Sequence, residues 1–261
     1  MNTRAARAML YVAVLGPVVM ARTAPAADAP SNDQRGSELR RAMMKGLERF
    51  NPLVGAWRGV GQPRSFSSRG AWKEEIEWVW KVDRESAVLA FNVKDAKLLR
   101  SGVLAFDPRQ GQYVLKARLP DGGERTYTGK PEGENRLVLV ARDEKAKEQH
   151  RLTLRTLHDD RITLLVERQA GSDPVFARQA EIGYTRIGGN FAAVGDSYPV
   201  CIVTGGRGTA TVTYKGQTYY VCCTGCKQAF EDDPEGILAE AAERAKQRAE
   251  AKGKSGGAGK P

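Results

Sequence analysis

The chain has 261 residues, which bounds it to one large domain or two smaller ones. A hydrophobic fraction of 41% can build a core and excludes wholesale disorder. The formal charge of +10 comes from 41 Lys and Arg against 31 Asp and Glu, and invites a nucleic-acid reading. Part of the excess sits at the ends, in Arg4, Arg7 and Arg22 and in Lys252, Lys254 and Lys260. Elsewhere the signs interleave, as in Arg142-Asp-Glu-Lys-Ala-Lys-Glu148, so the charge reads as solvated surface and no specific nucleic-acid partner is expected.

Residues 1–27 read as a secretory signal. Arg4 and Arg7 make a positive start, Ala8 to Met20 is apolar, and Ala24-Pro-Ala26 supplies small residues for cleavage. The apolar run falls short of the ~20 residues of a membrane span. An uncleaved anchor is the bland alternative. No cysteine follows the run, so no lipid anchor is expected, and after cleavage the protein should be periplasmic or secreted with no stable membrane anchor. Residues 28–52 read as a linker and a short helix. Leu39, Met43, Leu47 and Phe50 recur at helical spacing, Ser37 is the candidate N-cap, and Asn51-Pro52 is the stop.

From Leu53 to Ile187 the period changes to two. Trp72, Glu74, Ile76, Trp78, Trp80 and Val82 share one face, and Lys73, Glu75, Glu77 and Lys81 the other. Similar segments follow at 87–93, 99–106, 113–118, 125–128, 136–141, 151–156, 162–168 and 176–187, separated by turns such as Asp121-Gly-Gly and Pro131-Glu-Gly. With 55–61 this predicts about ten antiparallel strands over residues 53–188, which bury their edges by closing into a barrel. Glu74 alternates inward, which predicts a buried carboxylate paired with an inward arginine or placed near a barrel mouth. His150 shares a face with Leu152 and Leu154 and is a candidate inward group, whereas His158 falls in the turn Leu157-His-Asp-Asp160. Trp78, Trp80 and His150 are the candidate ligand-binding residues of the barrel, weighed against plain core filling.

Leu53-Val-Gly-Ala-Trp57-Arg-Gly-Val-Gly61 resembles the opening Leu-x-Gly-x-Trp of lipocalin-like barrels, and the strand count is similar to the nitrobindin-like members. The resemblance implies that Trp57 closes the base of the barrel. Nitrobindins hold haem on a histidine near the end of the barrel, and no histidine follows His158 here.

Residues 189–197 read as a linker, 198–250 as a small cysteine domain with a C-terminal helix, and 251–261 as a disordered tail. All 4 cysteines lie in the cysteine domain: Cys201, then twenty residues to Cys222 and Cys223, then Cys226. A hairpin of Ala210 to Tyr214 and Gln217 to Val221, turned at Lys215-Gly216, returns the chain so that Cys201 meets Cys222. Cys222 and Cys226 are one helical turn apart, Gly225 permits a close backbone approach, and a helix over 226–230 favours the thiolate. Cys201, Cys222 and Cys226 are therefore candidate ligands of a soft metal, zinc or copper. The alternative is a disulfide, Cys201–Cys222 or Cys201–Cys226, in an oxidising compartment. Cys223 is an accessory thiol or redox partner.

The same residues resemble the YHS/TRASH family: Pro199, Cys201 and Thr204-Gly205, then Tyr214-x-Gly216-x-x-Tyr219-Tyr220, Cys222-x-x-x-Cys226, Phe230 and Asp233-Pro234. The resemblance implies a treble-clef-like ββα unit that binds or senses a heavy metal. The histidine of some members is absent, and Cys223 stands where many carry Ser. The fold expected is mainly β: a lipocalin-like barrel of about ten strands followed by this small unit. The leading functional expectation is an exported, non-enzymatic metal-binding protein. The competing ones are a barrel carrier of a small apolar ligand or haem with a disulfide-stapled accessory, and a thiol oxidoreductase using Cys222-Cys223.

Overall fold

The computed structural model describes residues 32–65, 67–171, 173–187 and 199–255. The expected signal peptide, the 189–197 linker and the end of the tail lie outside them. Helix α1 spans Asn32–Leu47, followed by a 3-10 helix, Glu48–Leu53, that carries Pro52. Ser37 lies inside α1 rather than capping it, since the polar run from Asn32 is already helical. The apolar face docks only in its later half: Leu47 and Phe50 are buried and Met43 half-buried, whereas Leu39 is exposed. At Gly46 the helix comes so close to the barrel that a Cβ would lie 2.1 Å from the Phe106 ring. The Tyr113 hydroxyl donates to the Gly46 carbonyl at 2.6 Å.

Ten strands follow: β1 (Gly55–Gln62), β2 (Trp72–Val82), β3 (Ala87–Lys94), β4 (Ser101–Asp107), β5 (Gln112–Arg118), β6 (Glu124–Pro131), β7 (Arg136–Asp143), β8 (Glu148–His158), β9 (Arg161–Ala170) and β10 (Ala177–Arg186). Each pairs antiparallel with its sequence neighbours, and β1 pairs with β10 to close the barrel, Trp57 opposite Arg186. Closure removes the exposed sheet edges that a ten-strand meander would otherwise leave. In β2 the alternation maps onto the structure: Glu74, Ile76, Trp78 and Trp80 are buried, and Lys73, Glu75, Glu77 and Lys81 are exposed.

One end of the barrel is plugged. Trp57 is fully buried and its indole N–H donates to the Leu53 carbonyl at 2.7 Å. The Arg186 guanidinium lies 4.1 Å over its ring and donates to the carbonyls of Pro52, Val54 and Asp159. The base expected from the lipocalin-like opening is thus a Trp–Arg plug tying the 3-10 helix to β1 and β10.

The lumen is filled by the barrel's own side chains. A cavity of about 40 Å³ remains, lined by Ile76, Trp78, Leu104, Leu139, Glu74 and Tyr184 among others. Glu74 is buried, but its partners are not an arginine: it accepts the Tyr184 hydroxyl at 2.5 Å and the Trp72 indole N–H at 2.7 Å. Two aromatic donors satisfy the carboxylate where the sequence suggested a cation. Burial, with the Glu74 charge beside it, pushes the Tyr184 phenol well above its ordinary range. Trp78 lines this cavity, whereas Trp80 and His150 do not. His150 lies near Glu148, Arg125 and Arg168, and burial with the two guanidinium groups lowers its pKa. His158 is exposed, as expected of its turn.

Beyond the barrel come a hairpin, β11 (Ala210–Tyr214) and β12 (Gln217–Val221), and helices α2 (Thr224–Asp232) and α3 (Pro234–Ser255). Lys215 and Gly216 both take positive φ, the geometry a two-residue hairpin turn demands. The first helix is longer than the expected 226–230, and α3 runs to Ser255, into the stretch expected to lack structure. From Asn32 onward the chain forms one compact unit. Among the described residues no helix is long and apolar enough to cross a membrane.

The plug makes a stability prediction. Arg186→Met keeps an apolar stem but leaves three carbonyls without their charged donor, and should cost about 2–3 kcal/mol in urea unfolding. An unchanged midpoint would show that the plug contributes nothing.

Candidate metal centre

Cys201 opens a tight loop. Its N–H donates to the Gly206 carbonyl at 2.7 Å, and Gly205, at φ 73°, returns an N–H to the Cys201 carbonyl at 2.8 Å. That left-handed turn favours glycine. Cys201 then bridges Tyr220 of β12 in parallel, and the Ile202 N–H donates to the Tyr220 carbonyl at 2.8 Å. The hairpin delivers Cys222 beside it, with the Thr209 hydroxyl on the Cys222 carbonyl at 3.1 Å. Cys223 is the N-cap of α2, and Cys226 lies in its first turn. Tyr219 of the hairpin and Phe230 of α2 meet as a tilted aromatic pair with centroids 5.4 Å apart. Asp233 caps α3, accepting the Gly236 N–H at 3.0 Å, with Pro234 at the first helical position.

The result is that the ligand sulfurs of Cys201, Cys222 and Cys226 all lie within 4.8 Å of one another, and all three residues are buried. Cys222 Sγ and Cys226 Sγ are 3.4 Å apart. The three sulfurs converge, and the four cysteines stand as free thiols. Cys223 lies outside the trio: its Sγ is 4.0 Å from Cys222 Sγ and only partly buried.

The trio is electrostatically asymmetric. Hydrogen bonding with Cys222 and Cys226, and further with Thr204, holds the Cys201 thiol well below its ordinary pKa. Hydrogen bonding to Cys201 keeps the protons of Cys222 and Cys226 on, so both are raised. Cys223 is lowered by the Cys222 and Cys226 thiols and, further, by the backbone N–H groups of Cys226 and Trp80.

The barrel contributes residues that spacing alone does not reveal. The Trp80 N–H donates to Cys223 Sγ at 3.3 Å. The Trp80 indole donates to Asn51 Oδ1 at 3.0 Å, and Asn51 Nδ2 donates to the Thr204 carbonyl at 3.4 Å. The Thr204 hydroxyl in turn meets Cys222 Sγ at 3.5 Å. In the sequence Asn51 reads only as a helix stop and Trp80 only as barrel filling. The close approach expected of Gly225 is real, and it is toward the barrel: a Cβ there would lie 1.6 Å from the Trp80 carbonyl oxygen. Gly225→Ala should therefore force the cysteine unit off β2, destabilising by about 3 kcal/mol, the upper end for overpacking. It should also speed exchange of the Trp80 amide proton read by NMR. Gly183→Ala, where a Cβ would meet nothing within 4 Å, is the control. Equal effects of the two would refute the contact.

Comparison with known proteins places this unit. The family model for the YHS domain matches residues 197–238. A search of curated proteins returned no match. Among solved structures the chain is similar to an S-type phycobiliprotein lyase, CPES, from Guillardia theta, at 12% identity and a TM-score of 0.34, over 62% of this chain and 100% of that one. It is also similar to EF1p2_mFAP2b bound to DFHBI, at 9% identity and a TM-score of 0.25, over 54% of this chain and 99% of that one. Residues 197–238 thus match a YHS domain, C-terminal to a closed ten-stranded antiparallel barrel.

Proposed function

We propose that this is an exported protein that binds a heavy metal, zinc or copper, on Cys201, Cys222 and Cys226, and works in metal handling or sensing outside the cytoplasm. The observation that carries the reading is the convergence of three buried sulfurs. Tetrahedral zinc with Zn–S near 2.3 Å holds its sulfurs about 3.8 Å apart, and trigonal Cu(I) about 4 Å. The trio's spread fits either ion with small side-chain adjustment. Soft thiolate donors favour these metals over hard cations. The YHS match supports metal binding, and the N-terminal sequence supports export and a periplasmic or secreted location.

Three sulfurs leave a coordination position for zinc, or complete a trigonal site for copper. Either suits capture and release better than a closed structural site. The role is binding rather than catalysis. The carrier reading is less favoured, because a cavity of about 40 Å³ is far below the ~300–1,000 Å³ of usual small-molecule pockets.

Full-length reduced protein, titrated with Zn(II) and Cu(I) against a chromophoric chelator, should bind one ion per chain. The Cys201/Cys222/Cys226→Ser triple variant should lose at least about 100-fold in affinity. A triple variant that binds as tightly as the parent overturns the proposal.

The thiol asymmetry adds a pH signature. Cys222 and Cys226 are raised and so favour their protonated forms, which metal binding must strip. Affinity should tighten as pH rises, because raised thiols must lose their protons to ligate. An affinity that does not change with pH would show a preformed trithiolate instead.

A further inference from the structure

The trio is a closed pocket: Cys201 is 1% exposed, Cys222 7% and Cys226 0%. An ion reaching it has to pass some outer group first. Cys223 is the one cysteine with its side chain partly in solvent, and its sulfur stands 4.0 Å from Cys222 Sγ. It caps α2 with an extended backbone, φ −162° and ψ 173°. Cys222 belongs to the trio, while the Cys223 sulfur is also held by the Trp80 N–H of β2 at 3.3 Å.

We propose that Cys223 is a transfer ligand, the first and last sulfur to touch an ion entering or leaving the buried trio. The inference rests on the metal-binding reading above. In the entry step an incoming ion, still on its donor, forms a metal–sulfur bond with Cys223. Cys222 Sγ, next along the path, then forms its bond as the donor's bond breaks, and its proton goes to water. Cys226 loses its proton to water likewise as it and Cys201 complete the site. The metal–Cys223 bond then breaks, and the sulfur returns to the Trp80 N–H. No electrons move, and the metal keeps its oxidation state throughout. The Trp80 N–H gives Cys223 a competing partner, which keeps its hold on the ion transient, and the barrel fixes the port at one distance from the trio.

A port changes rates without changing the equilibrium, which separates it from a permanent ligand. Full-length reduced wild type and Cys223→Ser are loaded with Zn(II), and uptake from and release to a chromophoric chelator are followed by stopped flow. The variant should keep its equilibrium affinity within about 3-fold while both rates fall at least about 10-fold. Unchanged rates would overturn the proposal. So would an affinity loss as large as that of Cys226→Ser, which would make Cys223 a standing ligand. Should the variant lose its cooperative unfolding transition, wild-type protein is alkylated after loading, when the ion and burial shield the trio. Modification confined to Cys223 should slow release by the same factor, and unslowed release would overturn the proposal. Wild-type protein that takes up no zinc or copper at all would instead sink the metal-binding reading itself.

Discussion

The structure turns on a strand that outruns its neighbour. β1 meets β2 only as far as Gly55 opposite Trp78, so residues 79–82 of β2 have no β1 partner. Backbone polar groups left in that position need partners from elsewhere. The cysteine unit supplies one: the Trp80 N–H goes to Cys223 Sγ, and Gly225 packs against the Trp80 carbonyl. A thiolate accepts such a bond better than a neutral thiol, because the acceptor is charged. The same residue that fills the barrel with its indole therefore closes the barrel's open edge with its backbone. Through Asn51 it also reaches the loop that carries Cys201.

This arrangement accounts for how three thiols tolerate one buried site. A lone buried charge is costly unless hydrogen bonds replace water. Cys201 receives them from two neighbouring thiols and from Thr204. The loop around it is in turn held from outside, where Arg244 of α3 donates to the Ile202 carbonyl. The ion that the donor set suits would replace thiol protons with one stronger centre of charge, and would meet a pocket already shaped for it.

Much of this was legible in the residues. Period-two alternation in β2 named its buried face, since half-buried strands leave no other solution to that pattern. Lys215-Gly216 and the Cys222-x-x-x-Cys226 spacing named the hairpin and the convergence, because both are set by contacts a few residues apart. What stayed hidden depends on distant partners. Nothing near Glu74 in sequence announces Tyr184, which lies across the barrel seam on β10. His150 has an inward parity, yet it sits among arginines away from the cavity, because parity gives the face but not the depth. Ser37 has the chemistry of a cap, but the preceding turn is helical too. Asn51 and Trp80 could not be tied to the thiols at all, since the two segments lie about 150 residues apart along the chain, as in the bond from Asn51 to Thr204.

Helix α3 reaches back to the beginning of the described chain. Arg40 of α1 pairs with Glu240, and Glu48 pairs with Arg248 at 2.9 Å. Helix α3 thus clasps the first helices, and the edge of β2 is covered by a unit synthesised long after the barrel. Domains emerge from synthesis N-terminal end first. Until the cysteine unit and α3 emerge, the strand end at Trp80 stays open and the pairs to Arg40 and Glu48 are unmade.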